Sequence, residues 1–177
     1  VVAYASVGAP LRNLTVFDVY EKLSRGNEVE FPVQGFVTPA TGRVQTRVGF
    51  IAGEGDQASA DRLFISTNGQ DAELGDAPGS LNPAGDVANG TISTDGATVT
   101  TRVPADANTF GFDADFLDAD NALPNRASDA TIVANANVES LVLGVVTFAT
   151  DVDAPELVAI KTATDVNGAP LRATDTI

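Results

Sequence analysis

The stretch from Arg43 to Phe50 constrains this chain more than any other: Val44, Thr46, Val48 and Phe50 alternate with Arg43, Gln45 and Arg47. A period of two sends one set of side chains to a core and the other to water, which is the pattern of a half-buried strand. Val29, Phe31 and Val33 repeat it against Glu28, Glu30 and Pro32. Proline has no amide to give a ladder, so Pro32 places that strand at an edge or a bulge. Leu14 to Tyr20, Leu63 to Ser66, Thr91 to Ser93, Ala97 to Val103, Phe110 to Leu117, Ala130 to Ala134 and Ser140 to Ala149 read as further strands. Thr38 to Gly42, Asn68-Gly69 and Asp95-Gly96 read as the turns between such runs. Helical periodicity is weak throughout, with a single turn over Gln57 to Arg62 the one candidate. About ten short strands predict an all-β chain, a two-sheet β-sandwich or jelly roll.

Residues 71 to 90 are poor in apolar side chains and rich in Gly, Pro and Asp, so they predict a long surface loop. The longest apolar run, Leu141 to Ala149, is interrupted by Gly144 and Thr147 and is far short of a membrane span. It predicts a buried strand. Asp151-Val152-Asp153-Ala154-Pro155 marks a boundary, giving a domain over residues 1–154 and an extension over 155–177. That extension is too short to fold alone.

Missing residue types narrow the chemistry. The chain has no Cys, so no disulfide or thiolate, and no His, so no imidazole base or ligand. A formal charge of −14 disfavours nucleic acid and anionic membranes as partners. It suits calcium-rich or salty surroundings outside a cell. Carboxylate pairs also serve glycosidases. With no Trp, and Tyr only at positions 4 and 20, a sugar-stacking cleft is poorly supplied, and a non-enzyme is expected.

Asp113-Ala114-Asp115-Phe116-Leu117-Asp118-Ala119-Asp120-Asn121 is the densest group of hard oxygen ligands, and calcium is the metal they suit. On a strand, Phe110, Phe112 and Phe116 take one face and Asp113 and Asp115 the other. The competing expectation is a solvated acidic face followed by an Asx turn. Asp151 and Asp153 form a second candidate pair at the boundary, and Glu54, Asp56 and Asp61 flank a Gly-rich loop. Asn13-Leu14-Thr15 and Asn89-Gly90-Thr91 are glycosylation sequons, Asn13 on a strand and Asn89 in an open loop. Lys161 has no identifiable partner for an isopeptide crosslink.

Ala9-Pro10-Leu11-Arg12-Asn13-Leu14-Thr15-Val16-Phe17-Asp18, Gly35-Phe36-Val37-Thr38-Pro39-Ala40-Thr41-Gly42-Arg43-Val44 and Gly111-Phe112-Asp113-Ala114-Asp115 carry a resemblance, as does Val145-Val146-Thr147-Phe148-Ala149-Thr150-Asp151. Together they resemble a module of large secreted bacterial and archaeal surface proteins, which precedes β-sandwich repeats of the cell-wall type. The tail, Lys161 to Gly168, is similar to the opening of such a repeat. The resemblance implies a structural or adhesive part at a cell surface, without catalysis.

The chain starts at Val1 in strand-like sequence, without Met, and removal of a leader is expected. Strand-forming sequence at both extremities predicts strand exchange. Val1 and Val2 at one end and Leu157, Val158, Ala159 and Ile160 at the other would join copies head-to-tail into a homopolymer. The alternative expectation is a monomeric adhesive or carbohydrate-binding module, stabilised by calcium.

Overall fold

The computed structural model describes residues 9–76 and 80–153. They form ten strands in two sheets, with no helix among the described residues. The strands are β1 (Arg12–Leu23), β2 (Asn27–Gln34), β3 (Thr46–Gly53), β4 (Arg62–Thr67), β5 (Gln70–Leu74), β6 (Ile92–Thr94), β7 (Ala97–Thr98), β8 (Phe112–Asp118), β9 (Asp129–Ala136) and β10 (Leu141–Asp151). The larger sheet runs β1-β10-β3-β8-β6-β7 and the smaller β2-β9-β4-β5. All neighbours are antiparallel except β6, which lies parallel to β8.

The two sheets face each other over one core, as a sandwich requires. From the larger sheet come Val48, Phe50, Leu117, Leu143, Val146 and Phe148; from the smaller come Phe31, Val33, Leu63, Ile65 and Ile132. The Phe36 and Phe148 rings meet at 5.7 Å between centroids. The alternation at residues 43–50 holds in full: Val44, Thr46, Val48 and Phe50 are buried, and Arg43, Gln45 and Arg47 point out. Pro32 sits on β2, an edge strand of the smaller sheet, as expected of a residue with no amide to give a ladder.

Turn chemistry sets the two tightest hairpins. Asn68 and Gly69 both take positive φ, 52° and 73°, as do Asp95 and Gly96 at 50° and 75°. Two consecutive left-handed residues make the turn whose twist matches that of paired strands.

Several sequence expectations need correction. The Gln57–Arg62 segment is not helical. Residues 71–90 are not simply surface loop: Gln70–Leu74 is strand β5, and Asn82, Val87, Ala88 and Asn89 are buried. Strand β10 contains a bulge at Gly144-Val145, which moves its inward positions from Leu141 and Leu143 to Val146, Phe148 and Thr150. The proposed exchange residues Val1, Val2, Leu157, Val158, Ala159 and Ile160, and Lys161, lie outside the described residues.

Candidate functional site

Two regions of the domain depart from an ordinary sandwich: one flank, and a buried acid pair beneath β8.

The flank lies where β1 and β2 face each other. Both are edge strands, so each has one side without a strand neighbour among the described residues. β1 is 12 residues long, and its outward side chains include Leu14 and Val16, each 68 % exposed. Its inward Phe17 and Val19, with Val29 of β2, are only partly covered by the core. The Phe17 and Phe31 rings, 5.3 Å apart, stand between the two sheets here. Asn13 lies half-buried on β1, and its side-chain oxygen accepts a hydrogen bond from Thr15.

At one end of this flank a cleft of about 570 Å³ is lined by Asn13, Gly35, Phe36, Val37, Val152 and Asp153. The described chain both enters and leaves beside it, because the Val152 amide donates to the Leu11 carbonyl and the Asp153 amide to that of Val37. Asp151 is held by Arg12 at 3.0 Å and accepts the Gln45 amide with its other oxygen. Asp151 thus locks the β1–β10 junction, and Asp153 is exposed.

The acid pair overturns one expectation for residues 113–121, the solvated acidic face, while the opposite facing of Phe112 and Phe116 and the Asx turn at Asp118 hold. Asp113 and Asp115 do not form a solvated face; they are 0 % and 2 % exposed and point between the sheets, while Phe112 and Phe116 of β8 lie half out in solvent. The Phe116 ring covers Gly49, where a Cβ would meet it at 2.6 Å. Asp113 Oδ1 accepts the backbone amides of Asn89, Gly90 and Thr91 at 2.9, 2.9 and 3.1 Å. Its Oδ2 is buried without a partner, against Gly55, whose Cβ would fall 2.1 Å from it. Both oxygens of Asp115 are buried and unpartnered.

Burial dominates the electrostatics of the pair. It pushes the Asp113 carboxyl up to about 7, against the pull of its three amides and with a further push from Asp115. It pushes Asp115 up to about 6. Ser93, Asn82 and Thr91 lie close enough to hold that value down, yet none is in hydrogen-bonding geometry with the carboxylate. Those three bond among themselves: Asn82 Nδ2 donates to Ser93 Oγ at 2.6 Å, and Thr91 Oγ1 to Asn82 Oδ1 at 2.8 Å. Asp61 is also buried and raised by burial, with Ser59 Oγ donating to it at 2.8 Å.

The remaining predicted ligands are elsewhere. Asp118 is on the outer face of β8, the opposite side of the sheet from Asp113 and Asp115, and accepts the Asp120 amide. Asp120 accepts the Thr46 amide and pairs with Arg43, and Asn121 Oδ1 accepts the Val44 amide. These oxygens anchor the entry to β3. The ligand set expected from sequence, Asp113 and Asp115 on a strand with Asp118, Asp120 and Asn121 in the turn after it, is therefore divided by the pleat into an inner pair and an outer turn. No group of three or more acidic side chains is placed to share a metal among the described residues.

Asn89 is also corrected. It is buried rather than in an open loop, and its side-chain amide donates to the Leu81 and Asp86 carbonyls. A glycan on that nitrogen is incompatible with this fold. Sequence reading missed Asn82, Thr91 and Ser93 as parts of a buried polar network. The Asn-Gly-Thr and Asn-Pro triplets that carry two of them look like loop punctuation.

No family model matches this chain, and no curated protein matches it. Among solved structures it is similar to dimeric latent PorU from Porphyromonas gingivalis, with a TM-score of 0.40 and 16 % identity. That likeness covers 85 % of this chain and 14 % of PorU. A likeness of this size assigns neither family nor activity.

Proposed function

We propose that this protein is an extracellular structural subunit that assembles with copies of itself by strand addition at the β1–β2 flank. One observation carries the reading: a 12-residue edge strand that has no strand neighbour on one side among the described residues and runs beside a partly uncovered strip of core. Unpaired edge amides and carbonyls template a further strand, and half-covered apolar side chains give it something to bury. The occupant is the segment around Leu157, Val158, Ala159 and Ile160 of a second copy. The described chain reaches Asp153 beside the flank, and the 24 residues after it, were they fully extended, would reach on the order of 80 Å. That is long enough to serve a neighbour. A net charge of −14 makes subunits repel, so the assembly should tighten as salt screens them.

The test compares the full chain with one ending at Asp153, by size measurement and electron microscopy at low and high salt. Salt-dependent polymers of the full chain and monomers of the short one are expected. Polymers of both would remove strand exchange. A full chain that stays monomeric at every concentration would leave a second reading, a monomeric adhesive or carbohydrate-binding module. The outward apolar stripe formed by Leu14, Val16, Ile51, Phe112 and Phe116 favours that alternative.

A further inference from the structure

We propose that Asp113 and Asp115 together bind one calcium ion between β8 and the 82–93 segment, with Asn82, Thr91 and Ser93 supplying neutral oxygens. Two carboxylates lie between the sheets, and none of the ion pairs among the described residues reaches them: Arg12, Arg43, Arg47 and Arg62 pair with Asp151, Asp120, Asp95 and Glu73. Uncompensated buried charge costs several kcal/mol per ion, so the fold needs a neutralising partner.

The oxygen count distinguishes the partners. Three carboxylate oxygens, Asp113 Oδ2 and both of Asp115, are buried with nothing bonded to them. Once the pair has lost one of its two protons, the remaining proton bridges two oxygens and leaves the third orphaned. A cation takes all three. Asp113 Oδ1, meanwhile, is held by three amides in a manner that suits the ionised carboxylate, and its Oδ2 is buried against Gly55.

The chemistry of the neighbours selects the ion. Asn82, Thr91 and Ser93 are 0 %, 6 % and 1 % exposed and lie beside Asp115. With the three carboxylate oxygens they raise the available set to six, all hard oxygen. Calcium accepts six to eight such ligands in irregular arrangements, whereas magnesium demands a near-ideal octahedron and retains waters. The set contains no nitrogen or sulfur donor for zinc. An ion here would bind the crossover leading into parallel strand β6 to the middle of the larger sheet. Being enclosed, it would enter during folding and exchange slowly.

The experiment uses the full chain. Elemental analysis of extensively desalted native protein should find one calcium per chain. The protein is then unfolded in guanidinium chloride with chelator, desalted, and refolded at pH 8 with calcium, with magnesium or with neither. At about 100-fold over the dissociation constant, calcium should raise the melting midpoint by about 5–10 °C, and magnesium by less. Asp115→Asn, which keeps the shape and removes the charge, should abolish the calcium shift. Absence of bound metal together with equal midpoints in calcium and chelator overturns the proposal. So does a calcium shift that survives in both Asp113→Asn and Asp115→Asn.

Discussion

Strands β3 and β8 are hydrogen-bonded neighbours, yet they divide their side chains in opposite ways. β3 sends Val48 and Phe50 into the core and Arg47 out. β8 sends Asp113 and Asp115 in and Phe112 and Phe116 out. Pairing fixes the inner row of both at once, since Val48 faces Leu117, Phe50 faces Asp115 and Ala52 faces Asp113. Leu117 is the one inward residue of β8 that hydropathy alone would choose. Within a sheet, therefore, register outranks local hydropathy, because a slip of one residue would expose Leu117 and strip the amides of residues 89–91 of their acceptor. The polar row survives because the neighbouring segment is built to meet it.

The largest effect that would sharpen this contrast comes from truncating the inward phenylalanine of β3. Phe50→Ala should lower unfolding free energy by about 3–5 kcal/mol in a urea titration, as for other buried aromatics. If Phe50→Ala costs no more than a surface change, the assigned faces are wrong.

Next is Asp113→Ala. It orphans three buried amides and should cost about 2–4 kcal/mol, in spite of removing an isolated buried charge. Gly55→Ala should act through the same contact, since its Cβ would displace Asp113 Oδ2 and press on the Ala88 backbone. Gly49→Ala is the matched control on the outer face. The atoms nearest its Cβ are side-chain atoms, the edge of the Phe116 ring and Thr147 Oγ1, and the part-exposed Phe116 ring can swing away. A Gly49→Ala loss equal to that of Gly55→Ala would contradict the inner-outer distinction.

A pH titration in chelator probes the acid pair directly. Both folded-state values are raised, so the folded protein holds protons that the unfolded chain has released. Stability should be highest below the ordinary Asp value near 4 and fall as pH rises through about 6 to 7, by about 1.4 kcal/mol per unit of displacement for each group. The two carboxylates interact, so the loss should follow a broad curve rather than two steps. Melting midpoints of wild type and of the Asp113→Asn/Asp115→Asn double variant should lie closest below about pH 4, diverge as pH rises from about 4 to 7, and keep a constant separation above that. Parallel curves would show that the pair does not titrate in this range.

The smallest expected effect is Phe116→Ser. At 44 % exposure the ring contributes little to the isolated domain, and its loss should change stability by less than about 1 kcal/mol. If the outer stripe binds a partner, the same substitution should weaken that binding while leaving the melting midpoint nearly unchanged.

Much of the architecture was legible before any coordinates. The Arg43–Phe50 alternation, the Asn68-Gly69 and Asp95-Gly96 turns and the edge position of Pro32 each rest on local rules that the fold obeys. The candidate site was legible only as a list of residues. Asp113 and Asp115 stand out as acids on one strand face, but which face turns inward depends on partners 22 to 24 residues earlier in the chain. Asn89 reads as an exposed sequon for the same reason. Nothing beside it in sequence reveals that the Leu81 and Asp86 carbonyls will capture its amide.

By itself, then, the sequence determined a β-rich chain, its main turns and its inventory of acidic and hydroxyl groups. Side-chain period and left-handed turn residues are properties of a few consecutive positions. Tertiary structure alone decided that the acids of β8 face inward, that the candidate ligands of residues 113–121 divide across the sheet, and that β1 has no strand neighbour on one side among the described residues. Those outcomes follow from strand register and from the bulge in β10, which arise only when segments distant in the chain compete for the same hydrogen bonds and the same buried space.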